Sequence, residues 1–324
     1  MNAAVAVSGT IRAGIERQHL KFDNEADWLE ARKQDITSTE ASALFGLSPY
    51  DTEFELWHKK SGNVIAAPFE PSERMRWGNR LQDAIAAGIA EDMGLQIKPL
   101  SGYYSRILPV RLGASFDYEI VSHVDGPGVL EIKKVDELIF RQQWCADDGA
   151  EEAPKHIEIQ HQTQLEARDY GWGMIGVLIG GNRVKVLRRQ RDREMGLAIR
   201  ERVAMFWESI EAGVAPKPDL AKDAEFIAKL YGFADPGKVY DGRGDSELSD
   251  LVLEYAAAAE AGKVAEEAKK RAKSALLMKI GDHERAIGPS GWSISAGMVA
   301  GGTVSYERQP YRNFRVTQTK TKGA

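Results

Sequence analysis

Residues 113–134, GASFDYEIVSHVDGPGVLEIKK, contain the pattern that decides the predicted fold. Two apolar runs that are rich in β-forming residues, 115–124 and 128–133, flank the turn residues 125–128. Apolar runs of this length on either side of an Asp-Gly-Pro-Gly turn predict a β-hairpin. The stretch therefore predicts two antiparallel strands at the centre of a sheet.

Four residues of this hairpin predict a metal site. Asp117 is expected to open the first strand, and Glu131 and Lys133 are expected on the second. Because side chains alternate across a strand, Glu131 and Lys133 point to one face and Ile132 points into the core. Two carboxylates with water and a carbonyl suit Mg²⁺ or Mn²⁺, and a lysine can orient or deprotonate an attacking water. Glu-x-Lys is also a common exposed pair, so this motif alone does not decide the function.

Size and composition indicate a soluble globular protein. The chain has 324 residues, 43% of them hydrophobic and 28% charged, and no apolar run long enough for a membrane span. The N-terminus has no basic residue before its short apolar run, so it is a poor secretion signal. A single cysteine, Cys145, rules out an internal disulfide and predicts a reducing cytoplasm. The net charge of −5 argues against a general nucleic-acid coat protein but not against a nuclease.

The chain is expected to contain a core and an extension. Residues 1–25 show no firm periodicity and are expected to be flexible, whereas 26–215 form the predicted core. Prolines after a strongly amphipathic helix mark the boundary to an extension over 216–324. In the extension, an Ala/Glu/Lys-rich helix over 248–280 precedes a Gly-rich tail, predicted to be β-rich, over 292–315. Sparse large apolar residues on that helix suggest pairing with another helix or subunit.

A possible anion site precedes the hairpin. Residues 26–33 are predicted to be helical, and Ser38 or Thr39 is expected to cap a second helix that ends at Gly46. A helix N-terminus with hydroxyl groups and a nearby arginine, here Arg32, can bind an anion. The alternative is that the hydroxyls only cap the helix, and spacing alone favours this alternative.

Two further helices carry polar residues of interest. A long helix that ends at Gly94 is predicted to bury Met75, Leu81, Ile85 and Ile89. The stretch HIEIQHQTQLEA, 156–167, predicts a helix with two glutamines, at 160 and 164, one turn apart on one face.

A second predicted β-hairpin turns at residues 180–182 and is followed by a basic run. The run is either a solvated face or a track for phosphates, and the two readings are about equal. Its members are Arg183, Lys185, Arg188, Arg189, Arg191 and Arg193.

Taken in order, the pieces resemble the lambda exonuclease or YqaJ-like viral recombinase family of the PD-(D/E)XK nucleases. The pieces are ITSTEASALFGLSPY, RWGNRLQDAI, GASFDYEI, LEIKK and HIEIQHQ. None of these pieces is specific by itself, but the five in this order are. The match covers roughly residues 28–213. It implies an α/β (α+β) fold with a mixed central sheet flanked by helices, a restriction-endonuclease-like core and a helical/β C-terminal extension.

The resemblance assigns roles to residues of the hairpin and of one helix. It implies that Asp117, Glu131 and the Ile132 carbonyl bind Mg²⁺ or Mn²⁺. Lys133 is expected to position or deprotonate the attacking water, and Gln160 is expected to orient Lys133 or that water.

The resemblance also implies a pocket for the 5′-phosphate of the degraded strand. Arg32 and Thr39, with the neighbouring Ser38, match this pocket. One position departs from the family pattern, because Gln82 replaces a glutamate of the active-site helix. Asp83 is adjacent, but one step along a helix turns a side chain by about 100°. Gln82 therefore puts the level of activity in doubt more than its kind.

The function that the resemblance implies is Mg²⁺-dependent 5′-to-3′ exonuclease activity on double-stranded DNA. Family members form ring-shaped homotrimers and leave 3′ single strands for a phage single-strand annealing protein. The expected setting is phage-type recombination in a bacterial cytoplasm, from a phage or prophage gene and away from membranes. The alternatives are an endonuclease on the same fold and, because of Gln82, a catalytically weakened DNA-binding module.

Overall fold

The structure is a computed structural model that describes residues 14–64, 70–146, 148–303, 305–308 and 311–317. The chain divides into two compact units, residues 1–230 and 231–324. The strands of the first unit are β1 (Glu16–Lys21), β2 (Ile36–Thr37), β3 (Gln96–Pro99), β4 (Tyr103–Leu108), β5 (Leu112–Ser115), β6 (Tyr118–Ser122), β7 (Gly128–Val135), β8 (Trp172–Ile179) and β9 (Arg183–Gln190). Its helices are α1 (Glu25–Lys33), a 3₁₀ helix (Ala41–Phe45), α2 (Glu53–Lys60), α3 (Glu73–Met93), α4 (Glu137–Gln143), α5 (Lys155–Arg168), α6 (Arg193–Glu211) and α7 (Ala224–Leu230).

The strands of the first unit form two mixed sheets. The larger sheet has the order β3-β6-β7-β8-β9, and its β7–β8 pair is parallel. The smaller sheet has the order β1-β4-β5-β2, with a parallel β2–β5 pair. Helices flank both sheets, so the predicted α+β class is confirmed, with the strands divided between two sheets.

The predicted central hairpin is present as β6 and β7, with Tyr118 opposite Leu130. Asp117, however, does not open β6 as expected. The chain leaves the smaller sheet at Ser115 and enters the larger one at Tyr118, so Asp117 lies in the two-residue crossing between the sheets.

Helix α5 connects the two parallel strands β7 and β8 and is the most buried helix of this unit. Ten of its fourteen residues are buried, including five consecutive polar residues, Gln160 to Gln164. Buried polar side chains need hydrogen-bond partners, so this helix is built to hold polar groups in fixed positions.

Helix α3 packs against the larger sheet through Ile85 and Ile89. It ends at Gly94, as predicted, with a left-handed backbone at that residue. Met75 was predicted in the same buried stripe but is 46% exposed. The reason is that the buried residues of α3 begin at Ile85, about three turns beyond Met75.

Near the N-terminus, two expectations are wrong. Residues 16–21 were expected to be flexible but form β1, which pairs antiparallel with β4 through backbone hydrogen bonds; residues 1–13 lie outside the described part of the chain. The expected cap at Ser38 or Thr39 is also absent, because the helix there is a 3₁₀ helix preceded by Glu40. Glu40 instead accepts hydrogen bonds from the backbone N–H and the hydroxyl of Thr37.

The second unit is dominated by one long helix, α8 (Ser246–Ile280). Two short strands, β10 (Arg285–Ile287) and β11 (Ser293–Ser295), pair around a 3₁₀ turn (Pro289–Gly291). The tail was predicted to be β-rich as far as residue 315, but its described residues after Ser295 contain no strand. The predicted boundaries at residues 25 and 215 stay predictions. In the described part of the chain, no helix combines the length and apolarity that a membrane crossing requires.

Candidate active site

The end of the β6–β7 pairing positions Asp117. Pairing stops at Leu130 and Tyr118, so the next part of β7 has no neighbour on that side. The Asp117 Oδ2 takes the place of a strand partner and accepts the Ile132 N–H at 2.8 Å. The N–H and C=O of one strand residue point to the same side, so the Ile132 carbonyl faces the same side as Asp117.

Glu131 is held by three donors from two elements. Its Oε1 accepts from Lys133 Nζ at 2.5 Å and from Gln160 Nε2 at 2.7 Å, and its Oε2 accepts from Gln164 Nε2 at 2.6 Å. The carboxylate is 3% exposed. Lys133, Glu131 and Gln160 are thus brought together as predicted from the hairpin and the helix.

The two carboxyl groups of the site have opposite pKa shifts. Burial and the charge of Glu131 raise the pKa of Asp117 to about 7. Burial alone would also raise the pKa of Glu131, but the Lys133 ammonium and the Gln164 amide outweigh it, so the pKa of Glu131 is lowered. The Glu131 and Asp117 charges outweigh burial for Lys133, whose pKa is raised. At neutral pH the site therefore holds the ionised Glu131 carboxylate, the Lys133 ammonium and the Asp117 carboxyl group, which titrates near that pH.

These groups open on a cavity of about 1140 Å³. Its walls include Asp117, Glu131 and Gln160 from the metal-site side and Arg32, Ser38 and Thr39 from the N-terminal segment. Asn79, Gln82 and Asp83 of α3 line it as well. Of the predicted catalytic, metal-binding and phosphate-binding residues, all but Ile132 and Lys133 therefore line one open cavity.

The donor set fits a hard divalent cation. Asp117 and Glu131 are close enough to hydrogen-bond each other, and their mutual repulsion is part of what raises the pKa of Asp117. A cation between two buried carboxyl groups relieves this repulsion. Among the residues that the structure describes, no third carboxylate, histidine or cysteine joins them in a ligand cluster. A set of two carboxylates and one carbonyl suits Mg²⁺, which keeps several water ligands.

Arg32 has the environment of an anion site. Its Nη1 donates to Ser115 Oγ at 2.8 Å, and its guanidinium lies 4.4 Å from the centre of the Trp28 ring. Burial lowers the pKa of Arg32 from its ordinary value. In the described residues no carboxylate lies within salt-bridge distance of this guanidinium, so its charge faces the cavity without a paired anion.

Hydrogen bonds link this arginine to the carboxylates. Ser115 accepts from Arg32 through its hydroxyl and from Gln164 Nε2 through its carbonyl at 3.0 Å. Gln164 in turn donates to Glu131. The anion site and the carboxylates are therefore joined through Ser115, which lies two positions before Asp117, and Gln164.

Gln164 is a site residue to which the sequence assigned a helix face but no role. The buried His161 ring lies 3.3 Å from Gln164 Oε1, and burial lowers the pKa of His161 to about 4. The neutral ring can donate through Nδ1–H, which fixes the amide with its NH₂ group towards Glu131 and Ser115. The available signal was the one-turn spacing of Gln160 and Gln164.

Among the described residues, Asp83 does not join the carboxylate pair in a ligand cluster. Gln82 lines the cavity, where the family pattern has a glutamate. Asp83 also lines it, but its carboxylate accepts a hydrogen bond from the Tyr118 hydroxyl. This agrees with the expectation that Asp83 does not replace the missing glutamate.

The basic run on β9 is mostly paired with carboxylates, which favours the solvated face over the phosphate track. The pairs are Arg183 and Lys185 with Glu151, Arg188 with Asp125, Arg189 with Glu158, and Arg191 with Glu166 and Asp169.

Comparison with known proteins agrees with this geometry. Residues 27–170 match the model of the YqaJ-like viral recombinase domain.

Individual relatives are more distant. The protein YqaJ of Bacillus subtilis (strain 168) is 28% identical over 224 residues, which cover 66% of each chain, just under two thirds of the relative's length. An alkaline exonuclease from Laribacter hongkongensis aligns with 64% of this chain and 100% of its own at 19% identity, with a TM-score of 0.46. A phage-related exonuclease from Haemophilus somnus 129PT aligns with 65% of this chain and 94% of its own at 15% identity, with a TM-score of 0.39.

Proposed function

We propose that this chain is a metal-dependent deoxyribonuclease that degrades double-stranded DNA from 5′ ends, using Mg²⁺ or Mn²⁺. The observation that carries this proposal is that Asp117 and Glu131 line one open cavity and that Lys133 donates a hydrogen bond to Glu131. The match of residues 27–170 to the YqaJ-like viral recombinase domain supports it. Recombination in a bacterial cytoplasm, a single-strand annealing partner and a homotrimeric ring belong to the same proposal.

In this proposal Asp117, Glu131 and the Ile132 carbonyl hold the cation. When bound, the cation lowers the pKa of a water and stabilises charge on the phosphate. The raised pKa of Lys133 keeps its ammonium charged, so it can orient the attacking water and offset negative charge at the phosphate. Gln160 and Gln164 fix the Glu131 carboxylate, which in turn positions Lys133.

Arg32 supports action at ends over internal cleavage. A terminal 5′-phosphate on Arg32, with the hydroxyls of Ser38 and Thr39 in the same cavity, is joined to the carboxylates through Ser115 and Gln164. This arrangement would bring a phosphodiester close to the terminus to the cation. An enzyme that cuts only internally has no use for such a pocket.

The first experiment measures digestion of linear duplex DNA with Mg²⁺ for the native chain and for Lys133→Ala. Loss of the lysine is expected to reduce the rate by about 10²-fold or more, the usual range for a group that acts on the attacking water. Lys134→Ala is the matched control, because Lys134 is exposed on the other face of β7. No digestion by the native chain with Mg²⁺ or Mn²⁺ would contradict the proposal and favour a DNA-binding module.

Gln82→Glu tests the departure from the family pattern. The substitution adds a carboxylate to the cavity wall, so digestion by this variant is expected to be faster than by the native chain. If digestion is instead found only in Gln82→Glu, the native chain is the weakened module.

The second experiment separates an exonuclease from an endonuclease. Arg32→Ala is expected to slow digestion of 5′-phosphorylated linear duplex and to leave nicking of circular DNA unchanged. Lys33→Ala is the control, because this exposed neighbour pairs only with Glu30 among the described residues. Equal loss on linear and circular DNA would identify an endonuclease.

A further inference from the structure

Helix α8 of the second unit is long and nearly unburied. It has 35 residues, which is about 52 Å at 1.5 Å per residue, and Ile280 is its one buried residue. Most helices in proteins gain their stability from packing an apolar face. A helix of this length that is exposed within the described chain therefore points to a partner.

One face of α8 forms a continuous apolar seam. The members follow each other at spacings of three or four residues, which places them on one side of the helix. Its large members are well exposed, with Leu253 at 65% and Val264 at 57%. The seam consists of Leu253, Ala257, Ala261, Val264, Ala268, Ala272 and Ala275.

The described tail does not cover this seam. Tyr255 lies on the opposite side of α8, two residues and about 200° from Ala257. The ring of Phe314 packs edge-on against Tyr255, with 5.6 Å between the ring centres. The intrachain contact of α8 with the tail is thus on the face away from the seam.

The charge of α8 is divided along its length. Residues 246–262 contain four acidic residues and no lysine or arginine. Residues 263–280 contain six basic and two acidic residues. The helix therefore has a negative half and a positive half, which complement each other only when two copies run in opposite directions.

We propose that α8 pairs antiparallel with α8 of a second copy of this chain, with Val264 at the two-fold axis. In this register Leu253 lies opposite Ala275, and Ala261 lies within one residue of the position opposite Ala268. The seam is then self-complementary, and its alanines allow the close approach of two helices.

The same register pairs the charges that flank the seam. Asp250 lies near Lys279 of the second copy, and Glu260 lies near Arg271 of the second copy. Asp250 and Lys279 continue the seam at its two ends, three residues before Leu253 and four after Ala275, whereas Glu260 and Arg271 lie along one edge of the seam. A parallel pair would place the negative halves together. This association is independent of the proposed nuclease activity and differs from a three-fold ring.

The first test is disulfide cross-linking of the full chain in a Cys145→Ser background, which removes the one native thiol. Val264→Cys is expected to give cross-linked dimers at least tenfold faster than Glu266→Cys, which lies about 200° around the helix. Ala257→Cys alone is expected not to cross-link, whereas its mixture with Ala272→Cys does. Equal rates for Val264→Cys and Glu266→Cys, or self-linking of Ala257→Cys, would overturn the antiparallel pair.

The second test is charge reversal, read as molar mass by sedimentation velocity at low salt. Asp250→Lys/Glu260→Lys and Arg271→Glu/Lys279→Glu are each expected to reduce the mass of the native assembly at least twofold. Their equimolar mixture restores the native mass, because the reversed charges complement each other. This holds whether or not the first unit forms a ring. If the native chain and both variants have the same mass, another segment of the chain covers the seam and the proposal fails.

Discussion

Asp117 and Glu131 lie side by side, yet one pKa is raised and the other is lowered. Glu131 accepts three hydrogen bonds, one of them from an ammonium. Asp117 accepts a hydrogen bond from an uncharged backbone N–H. Two buried carboxyl groups in contact do not both ionise easily without a cation. The negative charge therefore stays on Glu131, and Asp117 takes the proton.

This difference predicts that cation binding depends on pH. With a pKa of about 7, the Asp117 carboxyl of the metal-free protein holds a proton at pH 6, and a cation must displace it. Mg²⁺ or Mn²⁺ affinity is expected to fall as the pH drops below 7, with close to one proton released per ion at pH 6 and few at pH 8. Calorimetry in buffers of different ionisation enthalpy measures this release.

Asp117→Asn is the control for the pH effect and is expected to abolish the proton release. The same shift has a consequence for the stability of the metal-free fold. The pKa of Asp117 is higher in the folded protein than in the unfolded chain, so protonated Asp117 contributes to the free energy of unfolding. This contribution is fully present below the unfolded pKa and is lost as the pH rises through 7. Proton release that is equal at pH 6 and pH 8 would contradict the assignment.

Gln164 offers a second prediction, on a residue without catalytic chemistry of its own. Gln164→Leu removes the amide N–H groups that donate to Glu131 and to the Ser115 carbonyl. Each acceptor left without a partner is expected to lower the free energy of unfolding by about 1–3 kcal/mol. The pKa of Glu131 should rise, and Mn²⁺ should bind more weakly, as measured by calorimetry at pH 7.

Gln142→Leu makes the same change on an exposed surface of α4 and is expected to leave Mn²⁺ affinity unchanged. Urea unfolding of both variants separates loss of the fold from loss of the site. Native Mn²⁺ affinity in Gln164→Leu would show that this amide does not position Glu131.

At the scale of elements, the site depends on how closely α5 approaches β8. A Cβ on Gly173 would lie 2.6 Å from His161 Nε2 and 2.7 Å from the Val129 carbonyl. The carbonyl is backbone and cannot move aside, so only glycine lets α5 lie at this depth. The position of His161 therefore depends on the absence of a side chain at Gly173 of β8. The position of Gln164 depends on it in turn, through its contact with His161.

Gly173→Ala is therefore expected to destabilise the protein by about 1–3 kcal/mol, the usual cost of overpacking a core. Gly171→Ala is the matched control, because no heavy atom lies within 4 Å of a Cβ at that position. Urea unfolding of both variants gives the difference. Equal midpoints would mean that α5 shifts without cost and that its depth does not depend on Gly173.

Elements with strong local signals were predictable from the sequence. Turn residues and apolar runs identified β6–β7 and β8–β9, and helix periodicity identified α3 and α5. β1 was missed because ERQHLK lacks an apolar alternation and becomes a strand only by pairing with β4, more than 80 residues later.

Contacts that depend on three-dimensional packing were less predictable. Asp117, Glu131 and Lys133 were found because they share one hairpin. The link from Arg32 through Ser115 to Gln164 joins residues 83 and 49 positions apart. No local pattern reports such a link, so the sequence indicated its ends through family resemblance but not the connection between them.

At the scale of the whole molecule, the two units raise the question of where the first one ends. The sequence predicts a boundary after residue 215, but the compact unit extends to Leu230 and includes α7. Phe226 of α7 is 6% exposed and packs edge-on to Phe54. Asp223, 1% exposed, accepts a hydrogen bond from the Thr52 hydroxyl at the start of α2.

Two truncated chains distinguish these boundaries. The chain 1–230 keeps the contacts of Phe226 and Asp223, so it is expected to unfold at the same urea concentration as the first unit of the full chain. The chain 1–215 loses a buried aromatic side chain and is expected to be about 3–5 kcal/mol less stable, as for Phe→Ala in a core. Circular dichroism during urea unfolding measures both. Equal stability of the two truncated chains would place the boundary at residue 215, because α7 would then add nothing to the fold that holds the active site.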